Sequence, residues 1–139
     1  MLEENKAIAR RVYEIIATGD LDRTEEIVDP NAPDSERPPG SQSPQPKLIE
    51  TFRRFAADAH AAFPDMRITV EDMIAEDDRV AARVVMRGTH QGEFQGIAPT
   101  GKRVQVRAMD MFRIAGEKIV EHWGHGDDPT DILRAPECS

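Results

Sequence analysis

The stretch VQVRAMDMFRI, Val104 to Ile114, decides how the chain folds. Its even positions are Val104, Val106, Ala108, Asp110, Phe112 and Ile114; its odd positions are Gln105, Arg107, Met109, Met111 and Arg113. Side chains two apart share one face of a strand, so this run reads as a strand with one apolar and one mixed face. One covered face and one open face is the pattern of antiparallel sheets. Asp110 breaks the pattern, because it lies on the apolar face. Burying an unpaired carboxylate costs several kcal/mol or more, so the group must find partners, take up a proton, or both. A carboxyl group in such a place can donate a hydrogen bond to a developing oxyanion or exchange a proton with substrate carbon or oxygen.

The same alternation extends outward. Ala115, Gly116 and Glu117 form a tight turn, and Ile119 to Trp123 returns as a strand. Strict alternation there puts His122 on the face of Val120, toward Asp110, and Trp123 on the other face with Ile119. Upstream lies a Gly-rich loop with Gly88, Gly92, Gly96, Pro99 and Gly101. Before it, Val80, Ala82, Val84 and Met86 alternate, then comes the turn Glu76 to Asp78, and before that Met66, Ile68, Val70 and Ile74 alternate as well. Further upstream the period changes to that of a helix. Lys47 to Ala62 places Leu48, Ile49, Phe52, Phe55, Ala56 and Ala59 on one broad face continued by Phe63, and Pro64 ends it. Asn5 to Ala17 is amphipathic through Ile8, Val12, Ile15 and Ile16. Gly19 stops that helix, and Asp20 is positioned to cap a second one over Leu21 to Val28. Asp29 to Pro46 holds six prolines and few apolar residues, so it reads as a long mobile loop able to gate a pocket. The order of three helices followed by four strands predicts an α+β fold, with a strongly curved antiparallel sheet wrapped around the third helix.

Composition bounds the function. A chain of 139 residues fits one domain spanning residues 1–139, with a core that needs neither disulfide nor metal. The 18 Lys and Arg against 26 Asp and Glu give a net charge of −8, which opposes a nucleic-acid partner. Cys138 is the sole cysteine, so no internal disulfide forms. No run of about 18 apolar residues and no apolar leader core occurs, which predicts a cytoplasmic protein off the membrane. The His122-x-x-His125 pair falls on opposite strand faces, and the acidic run Glu71 to Asp78 lacks calcium-loop spacing, so no metal is expected. The glycines from Gly88 to Gly101 do not have dinucleotide-binding spacing, and no cofactor is expected.

GTHQGEFQGIAPTGKRVQV (Gly88 to Val106), MDMFRI (Met109 to Ile114) and KIVEHW (Lys118 to Trp123) resemble the SnoaL-like polyketide cyclases. NKAIARRVYEIIATGDLD (Asn5 to Asp22) and AAFPDMRITVEDMIAEDDRVAARVVMRG (Ala61 to Gly88) are similar to that family too. The resemblance implies an NTF2-like cone, and it places the family's general acid/base aspartate at Asp110. The strand also looks like that of the ketosteroid isomerases, whose protonated oxyanion-hole aspartic acid falls at the same place. Where the better-known cyclases carry a loop histidine, this chain reads Gln95, Gly96 and Ile97, and the histidine common after the second helix is absent from Asp29 to Ser35.

The resemblance implies cofactor-free acid–base chemistry, an intramolecular aldol closure or an isomerisation, on a bulky apolar carbonyl compound. Asp110 and His122 would carry the chemistry, and His90, Phe52 and Phe55 would contact substrate. A hydratase or epoxide-hydrolase-like enzyme is an alternative that needs a second carboxylate and a positive partner. A non-catalytic small-molecule-binding module is another. Val85, Met109, Met111 and Trp123, lying off the inner faces, predict a homo-oligomer, a dimer or tetramer, with dimerisation through the outer sheet face.

Overall fold

The computed structural model describes residues 2–33 and 47–134. Most of the Pro-rich loop, with the gating role expected of it, and Cys138 lie outside the described residues.

The first helix, α1, spans Leu2–Thr18 and buries Ala9, Val12, Tyr13, Ile15 and Ile16. Fully burying each Val or Ile contributes about 1.5–3 kcal/mol relative to leaving it in water. Gly19, at φ +75°, ends the helix in the left-handed geometry that glycine adopts without strain. The second helical segment is shorter than the sequence pattern predicts. It is a single 3-10 turn, Leu21–Arg23, running into the four-residue α2, Thr24–Ile27. Asp20 precedes it but makes no side-chain cap. Instead the hydroxyl of Thr24, itself wholly buried, donates to the Leu21 carbonyl at 2.7 Å.

Helix α3 spans Leu48–Ala62. Pro64 cannot continue it, and the Phe63 amide makes the last bond, to the Ala59 carbonyl at 2.9 Å. The free carbonyl of Ala62 then accepts from the amides of both Gln91 and Gly92, at 2.9 and 3.1 Å, which ties the helix end to a loop of the sheet.

Strands β1 (Arg67–Glu76), β2 (Arg79–Thr89), β3 (Arg103–Ala115) and β4 (Lys118–Gly126) form one curved antiparallel sheet in the order β1-β2-β3-β4. Asp77, at φ +53°, makes the first turn, and Gly116 with Glu117, both at positive φ, makes the last. Helix α1 lies against β1 and β2, whereas α3 packs on α1 and reaches the sheet at β4. The sheet therefore packs on α1 more than on α3, which differs from the expectation of a sheet wrapped around the third helix. A short α4, Pro129–Arg134, closes the described chain and is held by Lys102 Nζ donating to the Leu133 carbonyl at 3.1 Å.

Two bulges change which residues face inward. On β1, Val70 pairs with Val84 and Asp72 with Arg83, so Glu71 is an extra residue. Beyond it Met73 and Ala75 pack on the core, and Ile74 is 68 % exposed, not inward with Met66, Ile68 and Val70 as alternation predicts. On β4, Arg113 pairs with Glu121 and Ile114 with Ile119, which leaves Val120 as the extra residue. Ile119 and His122 consequently share the inner face, and Trp123, opposite Met111, does not share a face with Ile119.

Candidate active site

Between the helices and the concave sheet face lies a cavity of about 500 Å³. Val106 and Ala108 of β3, Val84 and Met86 of β2, and Phe63 and Phe94 at one end give it a mainly apolar wall. Phe52 and Phe55 of α3 line it as well; Phe52 is half-buried and Phe55 exposed, so the latter stands at an opening.

The most deeply set charged group of the wall is Asp110. Its neighbours on β3 carry it inward as the alternation dictates, and its side chain keeps only 16 % exposure. Both carboxylate oxygens have partners. Tyr13 Oη, from α1, donates to Oδ2 at 2.6 Å. His122 Nε2, from β4, lies 3.0 Å from Oδ1. A carboxylate only accepts, so the His122 tautomer that fits an ionised Asp110 carries its proton on Nε2. The fold thus supplies the buried acid with partners. Phe112 backs the trio: its ring meets Tyr13 edge-on at 6.2 Å and lies tilted against His122 at 5.1 Å. Burial first, then the charge of Asp110 and the hydrogen bond to it, push the Tyr13 phenol far above its ordinary pKa. Tyr13 is therefore held as a proton donor throughout the neutral range.

Strand alternation points to Asp110 and His122 but does not reach Tyr13, although the sequence carries a signal for it. Val12, Tyr13 and Ile16 fall on one helical stripe with Ala9, and a tyrosine on a core stripe needs a partner for its hydroxyl.

His90 lies elsewhere. It is wholly buried beside Phe63, with ring centroids 5.7 Å apart, and it is not among the residues lining the cavity. Its Nδ1 accepts from the Thr100 amide at 3.1 Å and meets the Thr100 hydroxyl at 3.0 Å, so it holds the two ends of the β2–β3 loop together. That loop delivers Phe94 to the cavity wall. Gln95 and Gly96, at the positions of the cyclase loop histidine, form its tip at positive φ and are exposed. His125 sits opposite Met109 in register and borders the cavity with Asp127 and Pro129, where β4 ends. The Asp127 carboxylate is engaged there by the Arg107 amide at 3.0 Å and by its guanidinium at 3.7 Å.

Helices closed by a curved four-stranded antiparallel sheet, with an apolar cavity and a polar cluster between them, define the NTF2-like class of α+β folds. Within that class the sequence profile of the SnoaL-like polyketide cyclases matches residues 6–132, and the chain belongs to that family. No curated protein sequence matches significantly. Among solved structures it is similar to IdmH of Streptomyces antibioticus, a proposed polyketide cyclase, at 34 % identity and a TM-score of 0.75, over 93 % of this chain and 96 % of that one. It is also similar to AclR of Streptomyces galilaeus, a proposed hydroxylase, at 27 % identity and a TM-score of 0.80, over 100 % of this chain and 87 % of that one. A SnoaL-like polyketide cyclase of Agrobacterium tumefaciens shares the fold at 23 % identity and a TM-score of 0.71, over 94 % and 95 % of the two chains. No described helix is long and apolar enough to cross a membrane.

Proposed function

We propose that the chain is a cofactor-free enzyme that moves a proton at a carbon next to a carbonyl group, in a bulky apolar substrate, leading to aldol closure or isomerisation. The observation that carries this reading is the placement of Asp110, held by Tyr13 and His122 in the wall of a mainly apolar cavity. The Asp110 carboxylate takes the proton as the C–H bond breaks, and the electron pair passes to the carbonyl oxygen as an enolate. After attack on a second carbonyl, or rearrangement of the double bond, Asp110 returns the proton to oxygen or carbon. Tyr13 and His122 hold the carboxylate in position and stabilise its charge by hydrogen bonding, and the apolar wall keeps water away.

A suitable probe is 2-tetralone, a bicyclic ketone with exchangeable protons beside its carbonyl. Wild-type protein in D2O is expected to accelerate their exchange, followed by proton NMR. Asp110→Asn is expected to bind the ketone and lose the acceleration by about 10²–10⁴-fold, the usual contribution of general acid–base catalysis. Binding without acceleration by the wild type would instead favour a non-catalytic binding module.

A homodimer through the outer sheet face is part of the same proposal. Ile74, Ala81, Met111 and Trp123 form one cross-strand row there, with Met109 in the next. Met109 is 58 % exposed, whereas Val85 is already buried within the single chain and adds nothing to the patch.

A further inference from the structure

Gly124 is the β4 residue directly opposite Asp110. An interior strand glycine weakens a sheet, since it lacks a side chain to pack and loses more backbone freedom than any other residue. Its backbone does not require glycine, because Gly124 is not among the glycines at positive φ. The reason must be space. A Cβ at Gly124 would stand 2.8 Å from Asp110 Oδ1, 3.3 Å from His122 Cε1 and 3.5 Å from His122 Nε2. Those atoms belong to the two groups joined by the 3.0 Å His122–Asp110 contact.

Gly126, two residues on, is constrained differently. A Cβ there would press on the Arg107 carbonyl oxygen and lie 2.8 Å from Ala108 Cα, so the obstruction is backbone and the strand itself would have to move. At Gly124 the obstruction is the tips of side chains. The fold can yield there, but only by moving the site. His122 is packed on Phe112, and Asp110 is tethered through Oδ2 to Tyr13 on the far side. The easier motion swings Oδ1 away from His122 and leaves the Tyr13 bond in place.

We infer that Gly124 is a positioning residue: its missing side chain is what allows Asp110 and His122 to meet while the carboxylate stays open to the cavity. This rests on the proton-transfer reading for its effect on rate, but not for its geometry, and the two are tested separately.

The geometric arm compares thermal unfolding of wild type, Gly124→Ala, Asp110→Ala and the double variant. Gly124→Ala is expected to lower the midpoint in the wild-type background. In the Asp110→Ala background, where Oδ1 is gone, it is expected to leave the midpoint unchanged or raise it, because alanine is then the better strand residue. The same shift in both backgrounds would overturn the inference.

The kinetic arm follows 2-tetralone exchange. Gly124→Ala is expected to lower kcat about a hundredfold, the scale of a misplaced catalytic group, with little change in KM. Combined with Asp110→Asn it should be no slower than Asp110→Asn alone, since the group it displaces is then no longer a base. A rise in KM at constant kcat, or additive losses, would count against positioning. If the wild type does not accelerate exchange, the proton-transfer reading fails while the unfolding comparison still decides the role of Gly124.

Discussion

Replacing Tyr13 with phenylalanine removes one hydroxyl and leaves the ring where it packs, edge-on against Phe112. The change deletes the 2.6 Å bond to Asp110 Oδ2. Hydrogen bonds to charged groups contribute about 1.5–3 kcal/mol net, and this one is largely shielded from water, so the loss belongs in that range. For a domain of this size that corresponds to a fall in Tm of roughly 5–10 °C. Thermal unfolding followed by circular dichroism measures it, and Asp110→Ala supplies the control. With the carboxylate removed, the same Tyr13→Phe change should cost less than half as much, because the acceptor is no longer there. The rate of 2-tetralone exchange should fall with the first substitution as well, since one tether of the carboxylate is cut. A Tyr13→Phe protein with wild-type Tm and wild-type exchange would refute the view that the Tyr13 bond holds Asp110 in its working position.

Tyr13 is the only tyrosine, so absorbance near 295 nm reports its ionisation alone. Its folded-state pKa lies above the unfolded value of about 10, so its contribution to stability is fully present below that value and is lost as pH rises; phenolate should appear only together with unfolding, and a native titration near pH 10 would contradict the burial. The Asp65 carboxyl is held below its ordinary range, chiefly by the Thr89 amide and then by the Thr89 hydroxyl, both at 2.7 Å. Its contribution is therefore present above the unfolded pKa and lost as pH falls through the folded one, and denaturant midpoints measured from pH 7 to pH 3 should fall less in Asp65→Asn than in wild type. Met111→Lys, in the apolar row of the outer sheet face, should shift a dimer to monomer in sedimentation velocity at micromolar concentration; an unchanged distribution would place any interface elsewhere.

The sheet is legible in the sequence because its signal is local. From Val104 to Ile114 each residue declares its face by its parity, and nothing interrupts the count. The same rule places Asp110 correctly and turns His122 toward it, but it does not join Tyr13 to them: a tyrosine on a helical core stripe shows that its hydroxyl needs a partner, not that the partner lies 97 positions away in the chain. Ile74 departs from the alternation for a specific reason. One unpaired residue, Glu71, reverses the parity of everything after it, and a bulge of that kind is a property of the pairing of two strands rather than of either sequence. Alternation puts His122 on the correct face but in the wrong company, because the bulge at Val120 brings Ile119 to that face. The second helical segment starts at Leu21 as its sequence suggests and ends one residue early, because Val28 turns extended to bridge Ile119; Asp20 is a good capping residue by type, yet capping depends on where the chain turns. His90 is of a type that contacts ligands but has the position of a clasp, bonded to Thr100 and packed beside Phe63 away from the cavity lining.

The unpaired Val120 separates the address of His122 in the sequence from its address in the fold. Were β4 paired regularly from Ile119 onward, the same residues would turn the indole of Trp123 to the cavity and the imidazole to the exterior. Yet a relative lacking one residue between Ile119 and Glu121 would lose the bulge and still set its histidine opposite Phe112, because the ladder beyond that point is unchanged. Distance from the Gly116–Glu117 turn can thus differ by one while rank along the neighbouring strand stays fixed. One residue more or less before Glu121 leaves the register of the site intact, and the place of the histidine is found by crossing the sheet from Phe112, not by counting from the turn.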